Sequence, residues 1–205
     1  MSIMVMIYGQ SGTGKSTSLR NFNNDDVAVI NVSGKPFPFR NDLKSAKTNS
    51  YPNIMSGLPK ITQPSIVIDD ATYLMVDEFM SQAMIKGYDK YSMMAKNFND
   101  LVEAARLLPD DKIVYFIGHS EQADDGREHF KTIGKMLDNY VTLEGKFTIV
   151  LKTLIKDGEY FFQTHNNGYD TVKSPMGMFE SDLIPNDLKM VDEAIREYWN
   201  IGGKK

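Results

Sequence analysis

The 205-residue sequence contains no cysteine, only five arginines and no long apolar run. Without cysteine, the chain has no disulfide, no thiolate metal site and no cysteine nucleophile. No stretch approaches the roughly 20 consecutive apolar residues that a membrane-crossing helix needs, and the apolar N-terminus is too short for a signal peptide. We therefore expect a soluble protein of the cytoplasm with no membrane partner.

An excess of basic charge is lacking as well. The 23 Lys and Arg residues are outnumbered by 27 Asp and Glu residues, which gives a net charge of −4. This balance argues against a uniformly basic surface for nucleic acid, although it permits a local basic patch. The length and a hydrophobic content of 41% suit a single α/β domain over residues 1–205.

The most specific pattern in the chain is the glycine-rich stretch IYGQSGTGKST at residues 7–17. It follows a short apolar run, IMVMIY, which is typical of a strand buried on both faces of a parallel sheet. The stretch matches G-x-x-x-x-G-K-[ST], a loop whose backbone N–H groups cradle the phosphates of ATP. The residues expected to contact the nucleotide are Gly9, Gln10, Ser11, Gly12, Thr13, Gly14, Lys15, Ser16 and Thr17.

Two side chains of this loop have separate predicted roles. Lys15 is expected to reach the β- and γ-phosphates, and the hydroxyl of Ser16 to bind Mg²⁺. A helix is predicted from Ser16 to Phe22, with its positive end facing the phosphates. The alternative is a glycine-rich turn with a chance lysine, but all four fixed positions match, between a predicted strand and a predicted helix.

Apolar runs and helical patterns alternate along the rest of the chain, and they predict an α/β fold. Further strands are predicted at 27–32, 65–70 and 112–119, helices at about 71–85, 91–108 and 186–199, a hairpin over 142–164 and a long polar loop over 33–64. This order predicts a mostly parallel sheet flanked by helices, with an antiparallel hairpin near the C-terminus.

Two neighbouring carboxylates end the predicted strand SIVIDD. Asp69 would lie at the carboxyl edge of the sheet, where ligands usually bind, and we expect it to hold Mg²⁺ through water. Asp70 is a candidate to orient or deprotonate the attacking water. The alternative for both is a cap on the helix that follows.

Basic residues are concentrated between Arg127 and Lys156, where the sequence contains six basic and three acidic residues. Such a patch is what localised binding to a nucleic-acid backbone requires, with Phe130 and Tyr140 as candidate stacking rings. The alternative is an ordinary solvated surface.

Several stretches together resemble a known family. GQSGTGKST, SIVIDDATYL and KIVYFIGHSEQ resemble the nucleotide-binding strands of RecA-core ATPases. The stretch from GKMLDNYV to PMGMF resembles the C-terminal half of a phage-encoded group of compact RecA-core ATPases that includes the Sak-type annealing and recombination proteins. The resemblance covers roughly residues 3–184 and is weakest over the 33–64 loop.

The resemblance implies a RecA-like P-loop fold and an ATPase that requires Mg²⁺. It implies action on single-stranded DNA in phage recombination or replication, in the cytoplasm of a bacterial host. It also implies a homo-oligomer and contacts with phage or host replication and recombination proteins.

The resemblance further assigns roles to individual residues. His119 becomes the γ-phosphate sensor, a role that an imidazole at a strand end is also suited to on chemical grounds. Lys173 matches a basic position of the family that acts on the nucleotide of a neighbouring subunit. The alternatives are a histidine satisfied by neighbouring backbone and an exposed loop lysine.

One departure from the family concerns the catalytic base. RecA has a glutamate at the end of its second strand, whereas this chain reads INVSGKPF there. Either Asp70 or Glu78 replaces that glutamate, or hydrolysis is slow and the nucleotide acts mainly as an assembly switch.

Two other functions stay open. One is an ATP-gated partner-binding module such as a helicase loader. The other is a small-molecule kinase, which is disfavoured because such enzymes gather arginines over the transferred phosphoryl group, whereas the five arginines here are scattered.

Overall fold

The computed structural model describes residues 1–87, 89–133 and 142–202. Its strands are β1 (Ile3–Gly9), β2 (Val27–Asn31), β3 (Ser45–Lys47), β4 (Ser65–Asp69), β5 (Ile113–Gln122), β6 (Glu128–Phe130), β7 (Ile149–Lys156), β8 (Glu159–Gln163) and β9 (Leu183–Pro185). Its α-helices are α1 (Tyr51–Gly57), α2 (Thr72–Ser81), α3 (Asp89–Arg106) and α4 (Leu188–Tyr198). Short 3₁₀-helices cover Ser16–Asn21, Leu58–Lys60 and Leu143–Lys146.

The strands form one mixed sheet in the order β3-β2-β4-β5-β1-β7-β8-β9, and β6 pairs with the far end of β5. The six strands from β3 to β7 in this order are parallel. β7 and β8 form an antiparallel hairpin, and β9 pairs antiparallel with β8. The predicted α/β class, with a mostly parallel sheet and an antiparallel C-terminal hairpin, is confirmed.

The two faces of the sheet are covered by different helices. Alternate residues of β1 point to opposite faces, as the period of a strand requires. Met4 and Met6 pack with residues of α1, α2 and α3, whereas Val5 and Ile7 pack with the Ser16–Asn21 helix and with α4. Because both faces are buried, β1 is apolar throughout, and its carboxyl end is the part that can meet a ligand.

The helix predicted from Ser16 to Phe22 is present over Ser16–Asn21, as a 3₁₀-helix and not an α-helix. Side chains take up the carbonyls that an α-helix would use. The Ser18 hydroxyl donates to the Lys15 carbonyl at 2.6 Å, and Arg20 donates to the Thr17 carbonyl at 3.2 Å. Hydroxyls that compete in this way disfavour the α-helical ladder.

The polar segment over 33–64 is not the structureless loop that its sequence predicts. It contains β3, α1 and a 3₁₀-turn, and the Ser50 side chain caps α1 by accepting a hydrogen bond from the Asn53 N–H. The fourth predicted strand also extends further, because β5 continues to Gln122 and pairs with β6. None of the described helices is long and apolar enough to cross a membrane.

Candidate nucleotide site

The glycine-rich loop leaves β1 in a conformation that depends on its glycines. A Cβ on Gly9 would lie 2.1 Å from Thr153 Oγ1 on the neighbouring strand β7, so no larger residue fits. Gly12 and Gly14 have φ values of +83° and +93°, which side chains strongly disfavour. Thr13 Oγ1 donates to the Gln10 carbonyl at 2.7 Å and closes the turn.

Lys15 is only 6% exposed although it carries the main positive charge of the loop. Its Nζ donates to the carbonyl oxygens of Gly9 and Gln10 at 2.9 and 2.8 Å. Burial lowers the pKa of Lys15, and the carboxylates of Asp70 and Asp69 oppose that shift. A buried ammonium that is satisfied by two neutral acceptors is suited to receive an anion.

Asp69 ends β4, and Ser16 begins the 3₁₀-helix after the loop. The Ser16 hydroxyl donates to Asp69 Oδ1 at 3.0 Å. Asp69 is 3% exposed, and burial raises the pKa of its carboxyl group to about 7, with the charge of Asp70 acting in the same direction. A hydroxyl and a carboxylate oxygen this close are hard ligands of the kind that Mg²⁺ prefers, one directly and one through water.

The alternative role of the two aspartates as caps of α2 is not supported. The N-cap residue of α2 is Ala71, which makes no side-chain cap hydrogen bond. Asp70 instead has a φ of +60°, an unusual backbone conformation for a residue other than glycine. Its Oδ1 lies 3.8 Å from His119 Nε2.

His119 lies in the middle of β5 and not at its end, in register with Gly9. The backbone N–H of His119 donates to Thr72 Oγ1 at 2.9 Å. The imidazole ring packs edge-on against the Tyr73 ring, with 5.5 Å between the ring centroids. Burial lowers the pKa of His119, and the charge of Lys15 lowers it further while Asp70 opposes. The imidazole is therefore neutral at pH 7 and can donate one hydrogen bond and accept another.

The loop, β4 and β5 together border a cleft of about 260 Å³, in which Lys15, Ser16, Asp70 and His119 all take part. This convergence follows from topology, since β1 and β4 end at one edge of the sheet and the parallel strand β5 passes that edge at His119, in register with Gly9. The site residues predicted from separate parts of the sequence are thus brought together, with Asp69 joined to Ser16 by a hydrogen bond.

Four residues that border the cleft were not predicted from the sequence. Lys35 and Pro38 come from the segment predicted to be a loop, Tyr73 from α2 and Tyr160 from β8. Lys35 Nζ lies 5.1 Å from the centroid of the Tyr73 ring. No periodic pattern marks these residues.

Asn31 ends β2 beside Asp69, at the place where RecA-like proteins are expected to have a glutamate. Its Nδ2 donates to the Lys35 carbonyl at 2.7 Å, and its Oδ1 accepts from the Gly34 N–H at 2.8 Å. The amide of Asn31 therefore shapes the turn that carries Lys35. This polar strand end was the one signal in the sequence that pointed to Lys35.

Two other predicted residues lie elsewhere. Glu78, an alternative catalytic base, packs between α2 and α3, where its Oε1 accepts from Asn97 at 2.6 Å, so this alternative was wrong. Lys173 is not a free loop lysine, because its backbone pairs with Val150 of β7 through two hydrogen bonds of 2.8 and 3.0 Å. Burial lowers the pKa of Lys173, and the charge of Glu144 opposes the shift.

Much of the basic segment is engaged in ion pairs. Lys146 lies 2.7 Å from Glu103, Lys152 pairs with Glu128, and Arg127 lies 3.0 Å from Asp125. Phe130 is 1% exposed in the core, so the prediction that its ring stacks on bases was wrong. The physical reason is its place beside Gly118 and Phe98 in the interior.

The remaining members of the basic segment have different positions. Lys135 and Tyr140 lie outside the described residues. Lys131 follows β6, where its backbone N–H donates to the His119 carbonyl at 2.8 Å. It also borders a side cavity together with Gln10, Ser11 and Tyr73. Lys131 is therefore a basic residue beside the cleft and not part of a distant patch.

Comparisons with known proteins were made against protein-family models and against curated proteins. No family model and no curated protein matches this chain. The interpretation of the cleft therefore depends on its geometry and on the pattern of the loop.

Proposed function

We propose that the protein binds ATP with Mg²⁺ in this cleft and hydrolyses it, and that its fold is a RecA-like P-loop ATPase. The observation that carries the proposal is the convergence of Lys15, Ser16, Asp69, Asp70 and His119 on one loop at the carboxyl edge of the sheet. A cation, a hard-metal ligand pair and a carboxylate next to a neutral imidazole are the groups that phosphoryl transfer to water needs.

Lys15 acts by exchanging one set of partners for another. In the free protein its ammonium bonds the carbonyls of Gly9 and Gln10. The charged oxygens of the β- and γ-phosphates are stronger acceptors than neutral carbonyls, so they displace those bonds when the nucleotide enters.

The magnesium ligands couple metal binding to loss of a proton. Mg²⁺, when bound, neutralises charge on the phosphates. Asp69, whose pKa is raised to about 7, is fully ionised only above neutral pH in the free protein. Because a cation favours the ionised carboxylate, Asp69 would give up this proton on holding Mg²⁺ together with Ser16.

Asp70 and His119 are positioned to act on the water and on the γ-phosphate. Asp70 accepts or orients the proton of the attacking water, and the neutral His119 ring donates to a phosphate oxygen. His119 also has a route for reporting hydrolysis, since its carbonyl accepts the N–H of Lys131 just after β6. A movement of His119 on loss of the γ-phosphate would thereby change the position of Lys131, a basic residue outside the cleft.

We further propose that the protein acts on single-stranded DNA in phage recombination or replication. The family resemblance supports this, together with the position of Lys131 next to the nucleotide cleft. The chief alternative is an ATP-gated partner-binding module such as a helicase loader. A small-molecule kinase is the least supported, since the cleft residues include no arginine among those described.

The test compares three rates on the same preparation: ATP turnover alone, ATP turnover with single-stranded DNA, and phosphate transfer to nucleosides. We expect turnover that requires Mg²⁺ and rises with DNA. Turnover that ignores DNA would favour the partner-binding module, and a phosphorylated nucleoside would establish a kinase. No turnover under any of these conditions would contradict the proposal of an ATPase.

Lys173 stays a predicted partner of a neighbouring subunit's nucleotide in a homo-oligomer. Mixing Lys173→Ala with Lys15→Ala tests it, because mixed assemblies would contain some sites with both lysines. Recovery of turnover that neither variant has alone supports action across an interface. A monomer in the presence of ATP, with no recovery, would remove this role.

A further inference from the structure

A second cleft continues from the nucleotide cleft. It has a volume of about 470 Å³ and is bordered by Arg20 and by residues of the β7–β8 turn and of the end of β9. Thr17 and Tyr160 border both clefts, so the two are neighbours across these residues. The size lies in the range of small-molecule sites, about 300 to 1,000 Å³.

Asn186 borders this second cleft with an unsatisfied side chain. The residue is 2% exposed, and neither its Oδ1 nor its Nδ2 has a hydrogen-bond partner in the described part of the chain. Buried side-chain amides are nearly always paired, and an unpaired one points to a partner that is not part of the protein.

The backbone of Asn186 is held firmly although its amide is unpaired. Its N–H donates to the Tyr160 carbonyl at 3.1 Å, and its carbonyl accepts from Arg20 Nη1 at 2.5 Å. Arg20 also bonds the Thr17 carbonyl at 3.2 Å, which ties Asn186 to the phosphate loop. The amide is therefore mounted at a fixed position relative to the phosphates.

Tyr160 and Asn186 both approach the phosphate loop at Gly14. A Cβ on Gly14 would lie 2.9 Å from the Tyr160 ring and 3.0 Å from Asn186 Oδ1. Tyr160 is 47% exposed and borders both clefts, so its ring is accessible to a ligand. A planar ligand that extends past Thr17 would meet a ring and an amide at the same place.

We propose that the second cleft holds the adenine base of ATP, with the Asn186 amide paired to the edge of the base and the Tyr160 ring stacked on its face. This inference rests on the proposed function, since it assigns the base of the nucleotide whose phosphates lie at Lys15. It makes Asn186 the residue that determines specificity for the base.

The chemistry of the amide selects adenine over guanine. A side-chain amide presents a donor and an acceptor side by side, which match the adenine N6 amino group and N7. On that edge guanine presents two acceptors, O6 and N7, so an amide that pairs with the N6/N7 edge distinguishes adenine from guanine. A tyrosine ring stacks on any base and so adds affinity without selectivity.

The variant that tests the amide is Asn186→Leu, which keeps a similar volume and removes both polar atoms. We expect ATP affinity to fall about 5- to 150-fold, as for loss of one bidentate amide–base pair. The preference for ATP over GTP should disappear. Because no side-chain hydrogen bond of Asn186 is lost, the melting temperature should not fall. Asn53→Leu, the same change at an exposed position of α1, is the matched control.

A second pair of variants tests the ring. Tyr160→Ala should weaken ATP and GTP alike, since stacking does not depend on the identity of the base. Tyr160→Phe keeps the ring and should bind both nucleotides as the wild type does. A Tyr160→Phe variant as weak as Tyr160→Ala would contradict the stacking role.

Inorganic tripolyphosphate with Mg²⁺ separates this inference from the proposed function, because it has phosphates and no base. The inference predicts that Asn186→Leu binds tripolyphosphate as well as the wild type does. It is overturned if the variant loses tripolyphosphate too, which would make the amide a phosphate ligand, or if the wild type binds ATP and GTP equally. In both cases the phosphate site stands, whereas a wild type that binds neither tripolyphosphate nor ATP would overturn the proposed function together with this inference.

Discussion

The nucleotide cleft and the basic segment Arg127–Lys156 both contain concentrated charge, yet they handle it in opposite ways. In the cleft, Lys15 is buried against neutral carbonyls, and beside it the buried Asp69 carboxylate accepts from the Ser16 hydroxyl and the Asp70 N–H. In the basic segment, Lys146 and Lys152 lie against the carboxylates of Glu103 and Glu128.

This is the difference that we expect between a ligand site and a surface whose charges pair with one another. Burying a charged group that makes no direct ion pair is costly, and such groups are concentrated at functional sites. Surface ion pairs contribute little stability and satisfy one another. A count of basic residues along the sequence does not distinguish these cases, whereas burial and partners do.

The largest effect that would sharpen this contrast is expected at Asp69. Asp69→Asn keeps the shape of the side chain and removes the charge, so turnover with Mg²⁺ should fall about 10- to 100-fold, as for other residues that hold a metal through water. Asp70→Asn should lose less. Equal mild losses in steady-state ATPase assays of the two folded variants would contradict this prediction, because Asp69 would then contribute no more to turnover than Asp70 does.

A pH effect on stability is expected from the same residue. Burial raises the pKa of Asp69 from 3.8 to about 7, so the folded protein holds a proton that the unfolded chain has released. The stability that this proton contributes is fully present below about pH 4 and is lost as the pH rises through 7, at no more than about 1.4 kcal/mol per pH unit.

Unfolding by urea, without Mg²⁺ or nucleotide, measures this effect. Asp69→Asn cannot ionise, so its advantage in stability over the wild type should grow by about 2 kcal/mol between pH 5.5 and pH 8. All other titrating groups are shared by the two proteins and cancel in the difference. A difference in stability that is independent of pH would show that Asp69 titrates normally.

A smaller effect is expected at Lys35, which borders the cleft but is exposed. Lys35→Ala should reduce ATP turnover about 3- to 10-fold, because an exposed cation is screened and contributes less than a buried one. Lys44→Ala, at an exposed position of the same segment, is the matched control. Equal turnover of the two variants would remove Lys35 from the site.

The smallest effect is expected within the basic segment, where an unpaired and a paired lysine should contribute differently to DNA binding. Lys131 has no ion pair among the described residues and borders a cavity beside the cleft, whereas Lys146 is paired with Glu103. Lys131→Ala should weaken single-stranded DNA binding and reduce the slope of log affinity against log salt by about one. Lys146→Ala should leave that slope nearly unchanged, and the reverse result would return the DNA contact to the paired lysines.

The parts of the fold that local pattern determines were predictable from the sequence. Continuous apolar runs located β1, β2 and β4, and the fixed spacing of glycines, lysine and serine located the phosphate loop. Asp69 lies at that loop because parallel strands end at one edge of a sheet, and His119 lies there because β5 runs parallel to β1 with His119 in register with Gly9. These predictions needed only short-range order and one topological rule.

The rest of the site depends on contacts that no local pattern encodes. Lys35 borders the cleft on a turn held by the hydrogen bond from Asn31, and Tyr160 of β8 borders it from more than a hundred residues away along the chain. Asn186, just after β9, approaches Gly14 from a similar distance in sequence. The 3₁₀-helix after the loop depends on side-chain hydrogen bonds that compete with an α-helix. The burial of Phe130 follows from long-range packing, which a basic, aromatic stretch of sequence does not reveal.

The central claim is that the loop binds the phosphates of ATP, and a calorimetric titration of Mg²⁺ and ATP into the wild type and Lys15→Ala tests it most directly. The wild type should bind one ATP per chain and require Mg²⁺. Lys15→Ala, folded but without the buried ammonium, should lose about 100-fold or more in affinity, as for removal of a positioned charge donor. Equal affinity of the two folded proteins, or no binding by the wild type, would contradict the account.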